Sequence, residues 1–273
     1  SKGYVPLREQ YDNSVSHALE YYIADFALSR FAAALGKKKD AEMFYKRSLG
    51  YKHYYSKEFG TFRPILPDGT FYSPFNPRQG ENFEPNPGFH EGSSWNYTFY
   101  VPHDVYGLAK LMGGKKPFID KLQMVFDEGL YDPANEPDIA YAHLFSYFKG
   151  EEWRTQKETQ RLLDKYFTTK PDGIPGNDDT GTMSSWAIFN MIGFYPDCPG
   201  LPEYTLTTPV FNKVTIRLDP KWYKENELVI ETNRTQPGAL YIDKVLLNGK
   251  KFNKYHITHD ELVHGKYLKF DLK

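Results

Sequence analysis

The feature that most constrains this chain is a change of hydrophobic period near residue 195. Apolar residues recur at helical spacing before it and alternate in β-branched runs after it. A helical pattern does not settle as a strand, nor the reverse, so such a chain places helices first and a sheet last. Over 14–35, Val15, Leu19, Tyr22, Phe26 and Ala33 mark one face of an amphipathic helix, with Gly36 as its stop signal. A second helical pattern runs from Asp40, placed to cap the first amides, through Phe44, Tyr45, Leu49 and Tyr55. Residues 62–89 are rich in Pro, Gly and Asn and read as one long loop, and a loop of that length inside a compact domain is usually functional. Helical patterns resume at 94–113, interrupted by Pro102, and at 116–128, 137–149, 151–167 and 181–192. After a Pro-rich stretch, strand patterns cover 213–218, 228–231 and 239–247, and Asn248-Gly249 is a hairpin turn.

The expected fold is therefore mainly α with a C-terminal β segment, divided at 1–195 and 196–273. Successive helical hairpins with loops gathered at one end suggest part of an α/α toroid, and the helices are too few to close such a ring. With 273 residues the chain can bury a full core. Its 34 Lys and Arg against 35 Asp and Glu leave a net charge of −1, which gives no field to attract nucleic acid or an acidic membrane. A neutral ligand fits better. Aromatics make up 17 % of the residues, rings that suit both helical cores and the faces of sugars. A single cysteine, Cys198, excludes an internal disulfide and a thiolate metal cluster. No apolar run reaches the roughly 18 residues of a membrane span. The opening residues SKGYVPLREQ are not a signal peptide, which leads to the expectation that the chain is part of something longer.

Three stretches carry oxygen-bearing side chains in patterns that could do chemistry. In Pro175-Gly176-Asn177-Asp178-Asp179-Thr180-Gly181 two acids precede a helix. They either cap that helix or provide a general base or metal ligand on a rigid turn. In His90-Glu91-Gly92-Ser93-Ser94-Trp95-Asn96 an acid lies close to an indole. Desolvation beside the ring would raise the pKa of the carboxyl and suit a general acid, whereas the bland reading is a capping box made by Glu91 and Ser93. Asn135-Glu136-Pro137-Asp138 offers hard oxygen ligands of the kind calcium takes, or simply another helix start with Pro in its first turn. Zinc is disfavoured because His53, His90, His103 and His143 lack paired spacing. Sequons at Asn96 and Asn233 decide nothing by themselves.

At these residues the sequence resembles glycoside hydrolase family 92, the calcium-dependent exo-α-mannosidases. The resemblance runs through SVSHALEYYIADFALSRFAAALGKKKDAE at 14–42, EGSSWNYTFYVPHDVYGL at 91–108, NEPDIAYAHLFSY at 135–147 and PGNDDTGTMSSWAIFNMIGFYP at 175–196, and it continues into the final strands. It implies a glycosidase that removes terminal α-linked mannose by single-displacement, inverting hydrolysis. Glu91 would be the general acid, Asp179 the base, and Asp178 a supporting carboxylate. Ca²⁺ would bind two neighbouring mannose hydroxyls, with Asn96, Asn135 and Glu136 as candidate ligands. It further implies an N-terminal β-sandwich as intramolecular partner, mannose-containing glycans as ligands, and a secreted, periplasmic or cell-surface location. The alternatives are a carbohydrate-binding or structural remnant of the same scaffold, and another toroid enzyme such as an epimerase or lyase, although an epimerase would favour paired His bases.

Overall fold

The computed structural model describes residues 2–9, 12–80 and 86–273, so positions 81–85 of the expected long loop lie outside the described residues. The chain divides into two compact units, Ser1–Tyr141 with Cys198–Leu201 and Ala142–Asp197 with Pro202–Lys273.

The first unit starts with α1 (Ser14–Ala34), which buries Val15, Ala18, Leu19, Tyr22 and Phe26. Its first amides are satisfied from outside the helix: the Val15 and Ser16 N–H groups donate to the Gly88 carbonyl at 2.9 and 3.2 Å. That contact brings loop backbone against the helix terminus, and Gly88, with φ +89°, tolerates it because a Cβ there would collide with the Pro64 ring. Gly36, at φ +73°, lies just past the helix end, as its stop signal predicts. The second helical pattern becomes α2 (Lys38–Ser48) and a 3₁₀ turn over Leu49–Tyr54. Asp40 does not cap it. The N-cap position is Lys37, and Asp40 lies inside the first turn, where it still meets the positive end of the dipole. Arg47 of α2 pairs with the buried Asp25 of α1 at 3.1 Å. A short hairpin, β1 (Tyr55–Ser56) and β2 (Thr61–Phe62), leads into the loop region. The 94–113 pattern is broken around Pro102 as expected, giving α3 (Ser94–Thr98), a 3₁₀ turn at Pro102–Asp104 and α4 (Val105–Leu111), before α5 (Lys115–Asp127).

The 137–149 expectation, which runs from the end of the first unit into the second, is only half met: what forms is 3₁₀ turns at Glu136–Asp138 and Tyr141–Tyr147, not an α-helix. The next two helices, α6 (Glu152–Tyr166) and α7 (Thr182–Ile192), follow the sequence closely. Gly193 ends α7 at φ +113°, and a Cβ there would sit 2.6 Å from Pro209 Cγ. From this point the chain is β-rich: β3 (Phe194–Tyr195), β4 (Glu203–Leu206), β5 (Lys213–Arg217), β6 (Glu227–Arg234), β7 (Ile242–Leu247), β8 (Lys250–Phe252), β9 (His256–Thr258) and β10 (Tyr267–Leu272), with α8 (His259–Val263) between the last two.

The main sheet has the order β5-β6-β10-β7-β8. Only the β6–β10 ladder is parallel. Asn248 at φ +51° and Gly249 at φ +75° form the expected tight turn between β7 and β8. The central β10 alternates in burial, with Leu268, Phe270 and Leu272 inward beside Leu228, Ile230 and Val245. Side-chain period two thus fixes which face is core. Among the described residues no helix is long and apolar enough to cross a membrane.

Leu268 is completely buried in this core, so Leu268→Ala should destabilise the fold by about 2–5 kcal/mol. Lys269→Ala on the opposite face of the same strand should stay within about 0.5 kcal/mol. Urea unfolding of both variants checks the assignment, and equal losses would mean the register is wrong.

Candidate active site

The Glu91 stretch is built from backbone anchors. Each of three consecutive carbonyls accepts a side-chain donor from a different part of the first unit. Tyr97 Oη donates to His90 O at 2.6 Å, Asn135 Nδ2 to Glu91 O at 2.8 Å, and Asn86 Nδ2 to Gly92 O at 3.2 Å. On the other side the His90 N–H donates to Ser16 Oγ of α1 at 2.9 Å. Glu91 itself has φ +48°, a left-handed conformation that costs a non-glycine residue about 1–3 kcal/mol unless its surroundings hold it. Its carboxyl is left out of this scaffold: the side chain is 60 % exposed, with His90 Nε2 at 3.7 Å.

Ser93, not Glu91, caps α3. Its hydroxyl accepts from the Trp95 N–H, and the reciprocal partner of the capping box is Asn96. Asn96 uses its whole amide: Oδ1 accepts from Ser93 N and Ser93 Oγ at 2.8 and 2.9 Å, and Nδ2 donates to Leu130 O at 3.1 Å and Asp138 Oδ2 at 2.8 Å. Asp138 is fully buried and also accepts from the Asp132 N–H at 2.7 Å. Burial pushes its carboxyl well above the usual range, against the pull of those two donors. The indole of Trp95 is buried in the core, with Lys121 over its ring at 5.8 Å. The desolvation of Glu91 expected from that neighbour is therefore not supplied, since the carboxyl stands in solvent. The Asn135 side chain does not cap the turn that follows it. Its Nδ2 is committed to Glu91 O, which leaves Oδ1 as its atom for a ligand. Glu136 is half-buried and acts electrostatically on the half-buried Tyr100.

The other two predicted acids belong to the second unit and divide the two roles considered for them. Asp178 is the cap of α7: Oδ1 accepts from the Met183 and Ser184 N–H groups, both at 3.0 Å, and Oδ2 from the Ser184 hydroxyl. The Ser184 hydroxyl first, then the helix amides, hold its carboxyl below the ordinary range. Asp179 is exposed, and among the described residues its carboxylate has no hydrogen-bond partner; its backbone carbonyl accepts from Thr180 and Thr182 Oγ at 2.7 and 2.8 Å. Thr180 at φ +52° and Gly181 at φ +77° follow it as consecutive left-handed residues. Nothing in the sequence pattern marked Tyr97 or Asn86, and Asp138 stood only among the oxygen-bearing residues of its stretch. Tyr97 and Asp138 lie inside the motif stretches, but their function is to hold backbone and amide groups, which single-sequence reading cannot see. Among the described residues no group of three or more His, Cys, Asp or Glu side chains is placed to hold a metal.

Comparison with known proteins gives a consistent result. The Glycosyl hydrolase family 92 catalytic domain matches residues 1–273. Among solved structures, a family GH92 α-mannosidase from Bacteroides thetaiotaomicron in complex with mannoimidazole is 30 % identical with a TM-score of 0.90, over 100 % of this chain and 37 % of that one. A family GH92 inverting mannosidase from the same organism is 32 % identical with a TM-score of 0.87, over 99 % of this chain and 38 % of its own. An uncharacterized secreted glycosidase of Arthroderma benhamiae is 26 % identical over 298 residues, 100 % of this chain and 38 % of that protein. This chain thus spans little more than a third of the length of the relatives it matches.

The unequal settings of Asp178 and Asp179 generate a test. Asp178→Ala should lower thermal stability, whereas Asp179→Ala should leave it unchanged. Because the Asp178 carboxyl is depressed in the folded state, its contribution is present above the ordinary carboxylate pKa of about 3.9. It is lost as pH falls through the depressed value. Thermal melts of both variants at pH 7 and near pH 2.5 should show the Asp178→Ala deficit shrinking at the lower pH. A deficit independent of pH would contradict an ionised cap.

Proposed function

Because this chain belongs to glycosyl hydrolase family 92, whose catalytic domain it matches from end to end, we propose that it serves an exo-acting α-mannosidase. That enzyme would remove terminal α-linked mannose from glycans by inverting hydrolysis. The observation that carries this reading is the presentation of Glu91, with its backbone anchored in a left-handed conformation and its carboxyl exposed. A purely structural carboxylate would be expected to spend its oxygens on the fold, as Asp178 does.

In the proposed reaction the Glu91 carboxyl gives its proton to the glycosidic oxygen, so that the departing sugar leaves as a neutral alcohol. Asp179 takes a proton from a water whose oxygen forms the new bond to the anomeric carbon as the old bond breaks, which inverts the configuration. Binding of the sugar has to exclude water from Glu91, since the protein alone leaves it exposed. Asp178, fixed on the amides of α7, orients the turn that carries Asp179. When bound, calcium would supply a positive centre for two neighbouring mannose hydroxyls and favour a distorted ring. Asn135, through Oδ1, and Glu136 have the oxygen chemistry to hold it. Asn96 does not fit that role, because its Oδ1 already accepts two hydrogen bonds and its Nδ2 is engaged twice. The wider setting in this reading is an α/α toroid completed by an N-terminal β-sandwich in the same protein, acting on glycans outside the cytoplasm.

The protein expressed as its gene encodes it should release free mannose from α-mannosides, with the β-anomer seen first by proton NMR. Chelation should stop release and added calcium restore it. Glu91→Gln should slow hydrolysis of an unactivated α-mannobioside by about 10²–10⁴-fold, and far less for dinitrophenyl α-mannoside, whose leaving group needs no proton. Release of the α-anomer first would exclude inversion, and no release at all would favour the non-catalytic, sugar-binding alternative.

A further inference from the structure

The anchoring of the Glu91 stretch has a pattern that general stability does not require. Surface loops ordinarily satisfy exposed carbonyls with water, yet here three successive carbonyls, those of His90, Glu91 and Gly92, are each held by a protein side chain. The three donors come from separate places: Tyr97 from α3, Asn135 from the residue before the Glu136–Asp138 turn, and Asn86 from the loop that precedes the acid. All three are buried. Two backbone sites are shaped to the same end. Gly80, at φ +94°, lies where a Cβ would collide with the Gly92 carbonyl, and a Cβ on Gly92 would come within 3.1 Å of Asn135 Nδ2 and 3.2 Å of Asn96 Oδ1.

We infer that Tyr97, Asn135 and Asn86 are positioning residues for the general acid: together they fix the Glu91 peptide so that its carboxyl meets the leaving oxygen of the substrate. The inference rests on the proposed role of Glu91 and extends it. The clamp acts on the backbone alone and leaves both carboxyl oxygens available for proton transfer. It also supplies the over-determination that a left-handed non-glycine residue needs. None of the three donors touches the reacting atoms in this scheme. Their effect is carried through the peptide of Glu91, and misplacement by about an ångström is enough to cost about a hundredfold in rate.

The consequence is specific to proton donation and can be read without counting folded molecules. Tyr97→Phe removes one hydroxyl and keeps the ring, and Asn86→Ala removes a second donor. In the protein expressed as its gene encodes it, each variant is assayed on the unactivated mannobioside and on dinitrophenyl α-mannoside in the same sample. The ratio of the two kcat/KM values cancels any loss of folded enzyme. A clamp that positions the acid predicts that kcat on the mannobioside falls about tenfold to a hundredfold with KM little changed. The dinitrophenyl substrate should lose less than about twofold, so that each variant is a weaker copy of Glu91→Gln. Equal losses on both substrates, or no loss on either, in Tyr97→Phe while Glu91→Gln keeps its leaving-group dependence would overturn the clamp and leave the acid standing. If Glu91→Gln itself showed no leaving-group dependence, the acid assignment would fall and the clamp with it.

Discussion

Much of the first unit hangs on the side-chain amide of Asn96. Its four hydrogen bonds join the start of α3, through Ser93, to the Leu130 carbonyl and to the buried carboxyl of Asp138. Each buried partner left without that amide would cost about 1–3 kcal/mol. Only a carboxamide supplies two donors and two acceptor lone pairs in one plane. Asp would lack the donors for Asp138 and Leu130. The segment carrying Glu91 and the segment carrying Asn135 are therefore tied at a point just behind the acid, and the bond from Asn135 to Glu91 O follows from that tie. Asp138 is costly in this setting, since one of its oxygens is buried without a hydrogen-bond partner among the described residues. Its second oxygen is what keeps Asn96 oriented.

The sequence made the regular elements legible where a strong period coincided with a clear stop signal. Over 14–35 the apolar spacing and Gly36 gave α1 nearly to the residue, and Asn248-Gly249 gave the β7–β8 turn, because these signals are local and no distant contact opposes them. Reading failed where the local signal was ambiguous. At 137–149 aromatic and apolar residues occur at helical density, but only 3₁₀ turns form, with Asp138, Tyr141 and His143 buried in them. At 38–40 the acid suited to capping stands one turn too far in.

The candidate site was legible in its acids and opaque in its supports. Glu91, Asp178 and Asp179 stand out as carboxylates in Gly-bounded turns, and the resemblance to a known family gives them roles. What the sequence could not assign is which acid caps a helix. Asp178 and Asp179 are neighbours of identical chemistry, and the choice is made by backbone: left-handed Thr180 and Gly181 turn the chain so that the Asp178 carboxylate meets the α7 amides. The same turn leaves Asp179 exposed. In the first unit the choice fell the other way. Ser93 took the cap, and Glu91, two residues earlier, was released from it. An amide oxygen in a motif looks alike in sequence whether it faces a cation or a serine, and the Asn96 Oδ1 accepts from Ser93.

A common device runs through these arrangements. A carboxyl meant to exchange a proton cannot also serve as an anchor, because any strong hydrogen bond to its charged form lowers its pKa and reduces its capacity as an acid, as the capped Asp178 illustrates. Rigidity must then come from groups that do not titrate. Backbone carbonyls meet that need: a peptide oxygen held by a tyrosine hydroxyl or an asparagine amide fixes the Cα and the direction of the side chain, while leaving the protonation equilibrium of the carboxyl to be set by whatever binds in front of it. The donors around Glu91 are Tyr97, Asn86 and Asn135. Burial drives the Tyr97 hydroxyl further from ionisation, and the two amides have no ionisation in the accessible range. An arrangement of neutral donors on successive carbonyls therefore separates the geometry of a carboxyl from its acidity, and in the proposed reaction a bound sugar would tune the second without disturbing the first.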